Sequence, residues 1–175
     1  MALTFVLGGA RSGKSAFAVR LASTFDSPVV VVATAEARDD EMAERIRRHQ
    51  QARPSEWKTV EAPVELAATI RFLPDDAAVV LDCLTLWVSN ALEAGRSDAT
   101  ILGEAEDVAS TLAERFDDAV VVSNEVGLGI VPTNALARRY RDVLGEVNAI
   151  FARAAAHSYL MVAGRAVALV PPETP

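Results

Sequence analysis

Residues 8–15 read GGARSGKS, in which Gly8, Gly13, Lys14 and Ser15 match the spacing G-x-x-x-x-G-K-[ST]. The apolar run Leu3 to Leu7 stands directly before this octapeptide and the helix-like stretch AFAVRLASTF directly after it. A strand, a glycine-rich loop and a helix in that order turn backbone N–H groups of Gly8, Gly9, Ala10, Arg11, Ser12 and Gly13 toward a common centre, and the helix N-terminus adds the positive end of its dipole. Such a centre suits a phosphate. Lys14 is then placed to reach the outer phosphates of a nucleotide, and the Ser15 hydroxyl to ligate Mg2+. A glycine-rich turn that matches by chance is the competing reading; the strand and helix on either side argue against it.

Working outward, further β-branched runs lie at Val29 to Ala33, Ala78 to Asp82, Ala119 to Ser123, Tyr159 to Ala163 and Ala166 to Val170. They are continuous rather than alternating, as in strands buried on both faces, and helical stretches separate most of them. The order predicts an α/β fold with a mostly parallel central sheet flanked by helices. Only Gly164 and Arg165 part the last two runs, so they read as a hairpin that adds one antiparallel edge strand. From about Thr133 to His157, Leu136, Tyr140, Val143, Leu144, Val147, Ile150, Phe151 and Ala154 mark one apolar stripe on a long helix. That stripe exceeds what a small sheet needs, which leaves part of it for a second subunit. His157 falls at the helix end, where a dipole partner is its natural role. The final PPETP reads as a frayed tail.

The 175 residues, 51% hydrophobic and 23% charged, suit a single nucleotide-binding domain over residues 1–175 that buries roughly 70% of its unfolded surface. Disorder is excluded, and the apolar runs are too short to span a bilayer. The N-terminal MALTFVLGGARSGKS lacks the basic start of a signal peptide, so the protein is expected in the cytoplasm. A net charge of −7 without a concentrated basic face argues against a nucleic-acid partner. Cys83 is the single cysteine, which excludes an internal disulfide; it reads as a small buried hydrophobe.

A nucleotide site needs a second acidic group at the C-terminal edge of a buried strand, where ligands of open α/β sheets bind. AAVVLDC supplies Asp82, a ligand for Mg2+ directly or through water, or alternatively a carboxylate that caps the next helix. AVVVSNEVGLGIVP ends its strand in Asn124 and Glu125 beside Gly127 and Gly129; it reads as a substrate-facing or switch segment, or equally as a structural turn.

From Asp39 to Arg53 the chain reads as a helix with acidic residues at its start, basic residues at its end and Pro54 as its stop. Met42, Ile46 and His49 share a face, and Arg45 and Arg53 each stand four residues from His49. Two guanidinium groups beside an imidazole make sense if an anion comes to them: they could hold a triphosphate and disfavour a proton on the ring. The plain alternative is a surface histidine on a basic helix.

Together GGARSGKS, VVATAEARDDEMAERIRRHQQARPSEWKTVEAP, VVLDCLTLWVSN and VVVSNEVGLGIVPTNALARRYRDVLGEVN resemble the bifunctional adenosylcobinamide kinase / adenosylcobinamide-phosphate guanylyltransferase family of cobalamin biosynthesis. The likeness covers nearly the whole chain, to about Gly164. It implies a RecA-like phosphate-loop fold and two reactions. A nucleoside triphosphate, ATP or GTP, phosphorylates adenosylcobinamide; GTP then gives GMP to adenosylcobinamide-phosphate through a guanylylated histidine, whose position matches His49. It also implies a homotrimer, and guanosine or phosphate contacts from Ala33, Thr34, Ala35, Gln50, Gln51, Ala52, Arg53, Glu61 and Asp82. The family often has two adjacent histidines where this chain has Arg48 and His49, a local departure. A single-activity kinase of another small alcohol and a nucleotide-dependent switch are the readings that do not need His49.

Overall fold

Runs of valine, leucine and alanine form strands when both faces are covered, and here they are covered unequally. The computed structural model describes residues 2–172, so the last three residues of PPETP lie outside the described residues. In chain order the elements are β1 Leu3–Gly8, α1 Lys14–Ala22, β2 Val29–Ala33, α2 Asp40–Gln51, β3 Lys58–Glu61, α3 Leu66–Arg71 and β4 Ala78–Asp82. There follow α4 Leu84–Glu93, α5 Asp98–Glu114, β5 Ala119–Asn124, α6 Ala135–Ala154, β6 His157–Val162 and β7 Arg165–Leu169. They build one seven-stranded sheet in the order β3-β2-β4-β5-β1-β6-β7. Every neighbouring pair is parallel except β6 with β7, so the expected antiparallel strand lies at the edge.

Successive strand side chains point to opposite faces. Phe5, Val30, Val32, Val79, Leu81 and Val121 join the larger core with α3 to α6. Val6, Val29, Val31, Val80 and Val122 join a smaller one with Ala18 and Ala22 of α1. Both faces are therefore apolar, which is why these strands read as unbroken runs. The seventh strand, β3, escapes that reading because its KTVE is exposed throughout.

Two boundaries depart from expectation for local reasons. The long helix ends at Ala154, where Ala155 turns to an extended conformation and Ala156 N–H donates to the Leu3 carbonyl at 2.9 Å. Pairing with the sheet thus displaces helix propagation, and His157 becomes the first residue of β6 opposite Thr4 rather than a helix-end residue. Of the stripe on α6, Val143, Leu144, Val147, Ile150 and Phe151 are buried, whereas Leu136 stays exposed. The hairpin turns at Ala163 and Gly164, one residue earlier than expected, because Val162 pairs with Arg165.

β5 lies between β1 and β4, with Gly8 opposite Asn124 and Asp82 opposite Val122. The end of β5 is tied to α6 by a buried polar link: Ser123 Oγ donates to Asn148 Oδ1 at 2.6 Å, and Asn148 Nδ2 donates to the Asn124 carbonyl at 3.0 Å. Asn148→Ala should strand the Ser123 hydroxyl in the core and lower the unfolding free energy by about 1–3 kcal/mol, measured by urea denaturation.

Candidate functional site

The C-terminal ends of β1, β2, β4 and β5 open on one cavity of about 750 Å3. Residues 10–15 of the glycine-rich loop form one wall, with Ala33 at the end of β2 and Ala35 beyond it, and Asp82 at the end of β4 and Cys83 beyond it. The opposite wall is α2, which contributes Met42, Arg45, Ile46, His49 and Gln50. The helix face inferred from spacing is the face that meets the loop.

At the loop, Gly13 takes φ 98 as the N-cap of α1, a left-handed conformation that favours glycine. Lys14 is nearly buried and its Nζ donates to the Gly9 carbonyl at 2.7 Å, which folds the side chain back over its own loop. Burial draws the Lys14 pKa below its ordinary value, against the pull of the Asp82 carboxylate.

Asp82 is the hub. Its Oδ2 accepts from Arg53 at 2.9 Å and faces His49 Nδ1 at 3.6 Å, while the carboxylate and guanidinium are almost withdrawn from solvent at 13% and 9% exposure. Burial pushes the Asp82 carboxyl up, but the His49 imidazole and the Arg53 charge outweigh it and hold the pKa below the usual carboxylate value. The carboxylate therefore does not cap α4, whose N-cap is Cys83 with no side-chain bond. Arg53 lies past the C-cap Ala52, so it does not stack along the helix beside His49; it closes an ion pair with Asp82. Of the two arginines expected to flank His49, Arg45 alone shares the wall of α2 with it, and the charge of Arg53 is offset.

The remaining expected residues divide. Ala10 to Ser15, Ala33, Ala35, His49, Gln50, Arg53 and Asp82 come together on the cavity. Gly8 is buried at the end of β1 and Gly9 is exposed in the loop, and neither lines the cavity. Thr34 is buried: its hydroxyl accepts from the Cys83 N–H at 2.9 Å and donates to the Cys83 carbonyl at 2.7 Å, so it braces the end of β4. Glu61 is exposed at the end of β3, a strand further out, and Gln51 and Ala52 are exposed at the end of α2; none of these lines the cavity. Cys83 is half-buried, packed against the smaller core and lining the cavity as well. Thr85, which spacing did not single out, lines the cavity and accepts the Asn124 N–H at 2.8 Å. Its only sequence signal was its place three residues after Asp82.

A hard cation would find two oxygen donors here, the Ser15 hydroxyl and the Asp82 carboxylate. Both contacts of Asp82 engage Oδ2, which leaves Oδ1 available to a metal or its water. Among the described residues there is no cluster of three His, Cys, Asp or Glu side chains. Two donors fit Mg2+, which keeps waters and takes phosphate oxygens instead of a protein cage.

Because the folded carboxyl titrates below its ordinary 3.8, the unfolded chain binds the extra proton as pH falls through that range, and stability rises with pH. The stability that Asp82 contributes is complete above the unfolded value and lost as pH drops toward the folded one. The gap in unfolding free energy between wild type and Asp82→Asn should shrink as pH falls below about pH 4, measured by urea denaturation.

Residues 4–169 match the family described as cobinamide kinase / cobinamide phosphate guanyltransferase. The chain is 43% identical to the bifunctional adenosylcobalamin biosynthesis protein CobP of Pseudomonas aeruginosa, with 91% of this chain and 92% of that protein covered. It is 40% identical to the CobU protein of the same description from Salmonella typhimurium, with 93% and 96% covered. Among solved structures, the type III secretion ATPase EscN of enteropathogenic E. coli superposes with a TM-score of 0.60 at 12% identity over 93% of this chain and 43% of that one. The P4 protein of bacteriophage phi6, in complex with ADP, gives 0.50 at 13% identity over 94% and 52%. This chain spans about half of those two structures, and they speak to the phosphate-loop ATPase fold alone. The chain belongs to the cobinamide kinase / cobinamide phosphate guanyltransferase family, a family of transferases whose fold and nucleotide loop it carries from β1 to β7.

Proposed function

We infer that this chain, a single domain, catalyses two transfers in the one cavity. A nucleoside triphosphate, ATP or GTP, phosphorylates the hydroxyl of adenosylcobinamide, and GTP then yields GMP to adenosylcobinamide-phosphate, giving adenosylcobinamide-GDP. The observation that carries this reading is the convergence of Lys14, Asp82 and His49 on one cavity, with His49 Nδ1 3.6 Å from Asp82 Oδ2.

The N–H groups of the glycine-rich loop and the Lys14 ammonium hold the triphosphate; Lys14 exchanges the Gly9 carbonyl for a charged phosphate oxygen, a stronger bond. Ser15 and Asp82 hold Mg2+, which when bound neutralises charge on the phosphates. The Asp82 carboxylate favours the tautomer of His49 with its N–H at Nδ1 and leaves the Nε2 lone pair free. Nε2 attacks the α-phosphorus of GTP, the bond to the β-phosphate oxygen breaks, and pyrophosphate leaves. The cationic ring so formed keeps its Nδ1 proton toward Asp82. An oxygen of adenosylcobinamide-phosphate then attacks the same phosphorus and returns His49 neutral, so no net proton moves. The cytoplasm is the compartment we propose, in keeping with phosphorylated substrates.

A homotrimer is the assembly we propose, supported by apolar side chains left exposed at Leu128, Ile130, Leu136, Val167 and Val170. Sedimentation equilibrium should return three times the chain mass, and a monomer at micromolar concentration would overturn it.

Incubation with α-labelled GTP and Mg2+ should leave acid-labile, alkali-stable label on the protein. His49→Ala should remove the label and His157→Ala, at the exposed start of β6, should not. Lys14→Ala should lower both transfers by about 100-fold or more through lost phosphate stabilisation. Label that persists in His49→Ala would sink the histidine assignment, and guanylyl transfer untouched in Lys14→Ala would sink the one-cavity reading.

A further inference from the structure

The β6–β7 hairpin is poorly explained as core. All five residues of β7 are exposed, and of β6 only Met161 is buried. Its turn is also costly to form: Ala163 takes φ 50 and Gly164 φ 76, and a left-handed alanine is disfavoured by sterics. What the turn does touch is the glycine-rich loop. Gly164 N–H donates to the Ser12 carbonyl at 2.9 Å. A Cβ on Gly13 would stand 3.2 Å from Gly164 Cα, and one on Gly8 would stand 2.6 Å from the Met161 carbonyl oxygen. Loop and hairpin are thus in contact through three loop residues, with no room for side chains between them.

The contact falls on a consequential peptide plane. The Ser12 carbonyl and the Gly13 N–H belong to one trans peptide group, so they point in opposite directions and turn together. Holding the carbonyl toward the hairpin aims the Gly13 N–H away from it, and Gly13 itself lines the cavity. Gly13 also precedes α1 directly, so the same plane sets how the first N–H groups of that helix meet a phosphate.

We propose that the Ala163–Gly164 turn is a positioning element for the phosphate loop, and that Gly164, through the Ser12 carbonyl, sets the affinity of the site for the phosphates of a nucleotide. The proposal rests on the nucleotide-binding part of the reading above and not on the role of His49. Ala163 and Gly164 are positioning residues. It follows that the edge strand β7, which adds little to the core, is retained to shape a turn.

Asparagine tolerates the left-handed region and valine does not, which separates the geometry of the turn from the mere presence of a side chain. A Cβ on Gly164 meets nothing within 4 Å, so the two substitutions share an unobstructed first carbon and differ in backbone preference. Binding of Mg2+–GDP should be measured by calorimetry, which needs no guanylyl transfer, together with amide exchange by mass spectrometry. Gly164→Val should weaken GDP about tenfold, the equivalent of one net hydrogen bond, and speed exchange in peptides covering residues 9–17 while those from β4 and β5 stay protected. Gly164→Asn should bind within about twofold of wild type. If Gly164→Val does not fold, Gly164→Ala takes its place with the same ordering expected. Undiminished GDP binding in the strained variant, an equal loss in Gly164→Asn, or faster exchange across the whole sheet would each overturn the positioning role and leave the His49 labelling result standing. A wild-type chain that binds no GDP would overturn the nucleotide reading and the positioning role with it.

Discussion

The ion pair between Arg53 and Asp82 joins the two halves of the site. α2 buries none of its residues, so packing alone does not settle where this helix lies against the sheet. Its C-terminal end is held by the guanidinium of Arg53, just past the helix, on a carboxylate at the end of β4. Both groups are nearly withdrawn from water, and breaking such a pair leaves an uncompensated charge that costs several kcal/mol. The same carboxylate lies 3.6 Å from His49 Nδ1, so one buried charge both anchors the helix end and faces the imidazole that the helix presents.

Around that pair, the sheet supplies the register. With β5 between β1 and β4, the glycine-rich loop and Asp82 are separated by a full strand, and Asn124 and Thr85 fill the gap between them. The room that results is wide enough for a nucleotide and lined on one side by donors and on the other by an imidazole. Thr34 and Asn90 support it from behind: Asn90 Nδ2 donates to the Thr34 carbonyl at 2.9 Å, and the Thr34 hydroxyl engages both backbone groups of Cys83. These residues act on the site through the backbone of Cys83, next to Asp82.

Much of the architecture was legible in order. The five β-branched runs that bury on one or both faces declared themselves, as did the phosphate loop, because both signals depend on residues adjacent in the chain. β3 was not legible, since an exposed KTVE carries neither an apolar run nor a turn signal. The end of α6 was misplaced for a different reason: AAAH is a good helical continuation, and only the free edge of β1, which accepts the Ala156 N–H, diverts it. Among site residues, the helix face of Met42, Ile46 and His49 followed from spacing, whereas Glu61 and Thr34, carried over by likeness, turned out to lie off the cavity or behind it.

By itself the sequence determined the fold class, the phosphate loop and the helix face that bears His49, because each is written in local spacing that backbone geometry converts directly into direction. Only the tertiary structure decided that Arg53 pairs with Asp82, that Thr85 shares the cavity, and that the β6–β7 turn reaches the phosphate loop. Those are contacts between segments 29, 39 and 152 residues apart. They depend on the order in which strands lie side by side, and no local pattern of residues encodes that order.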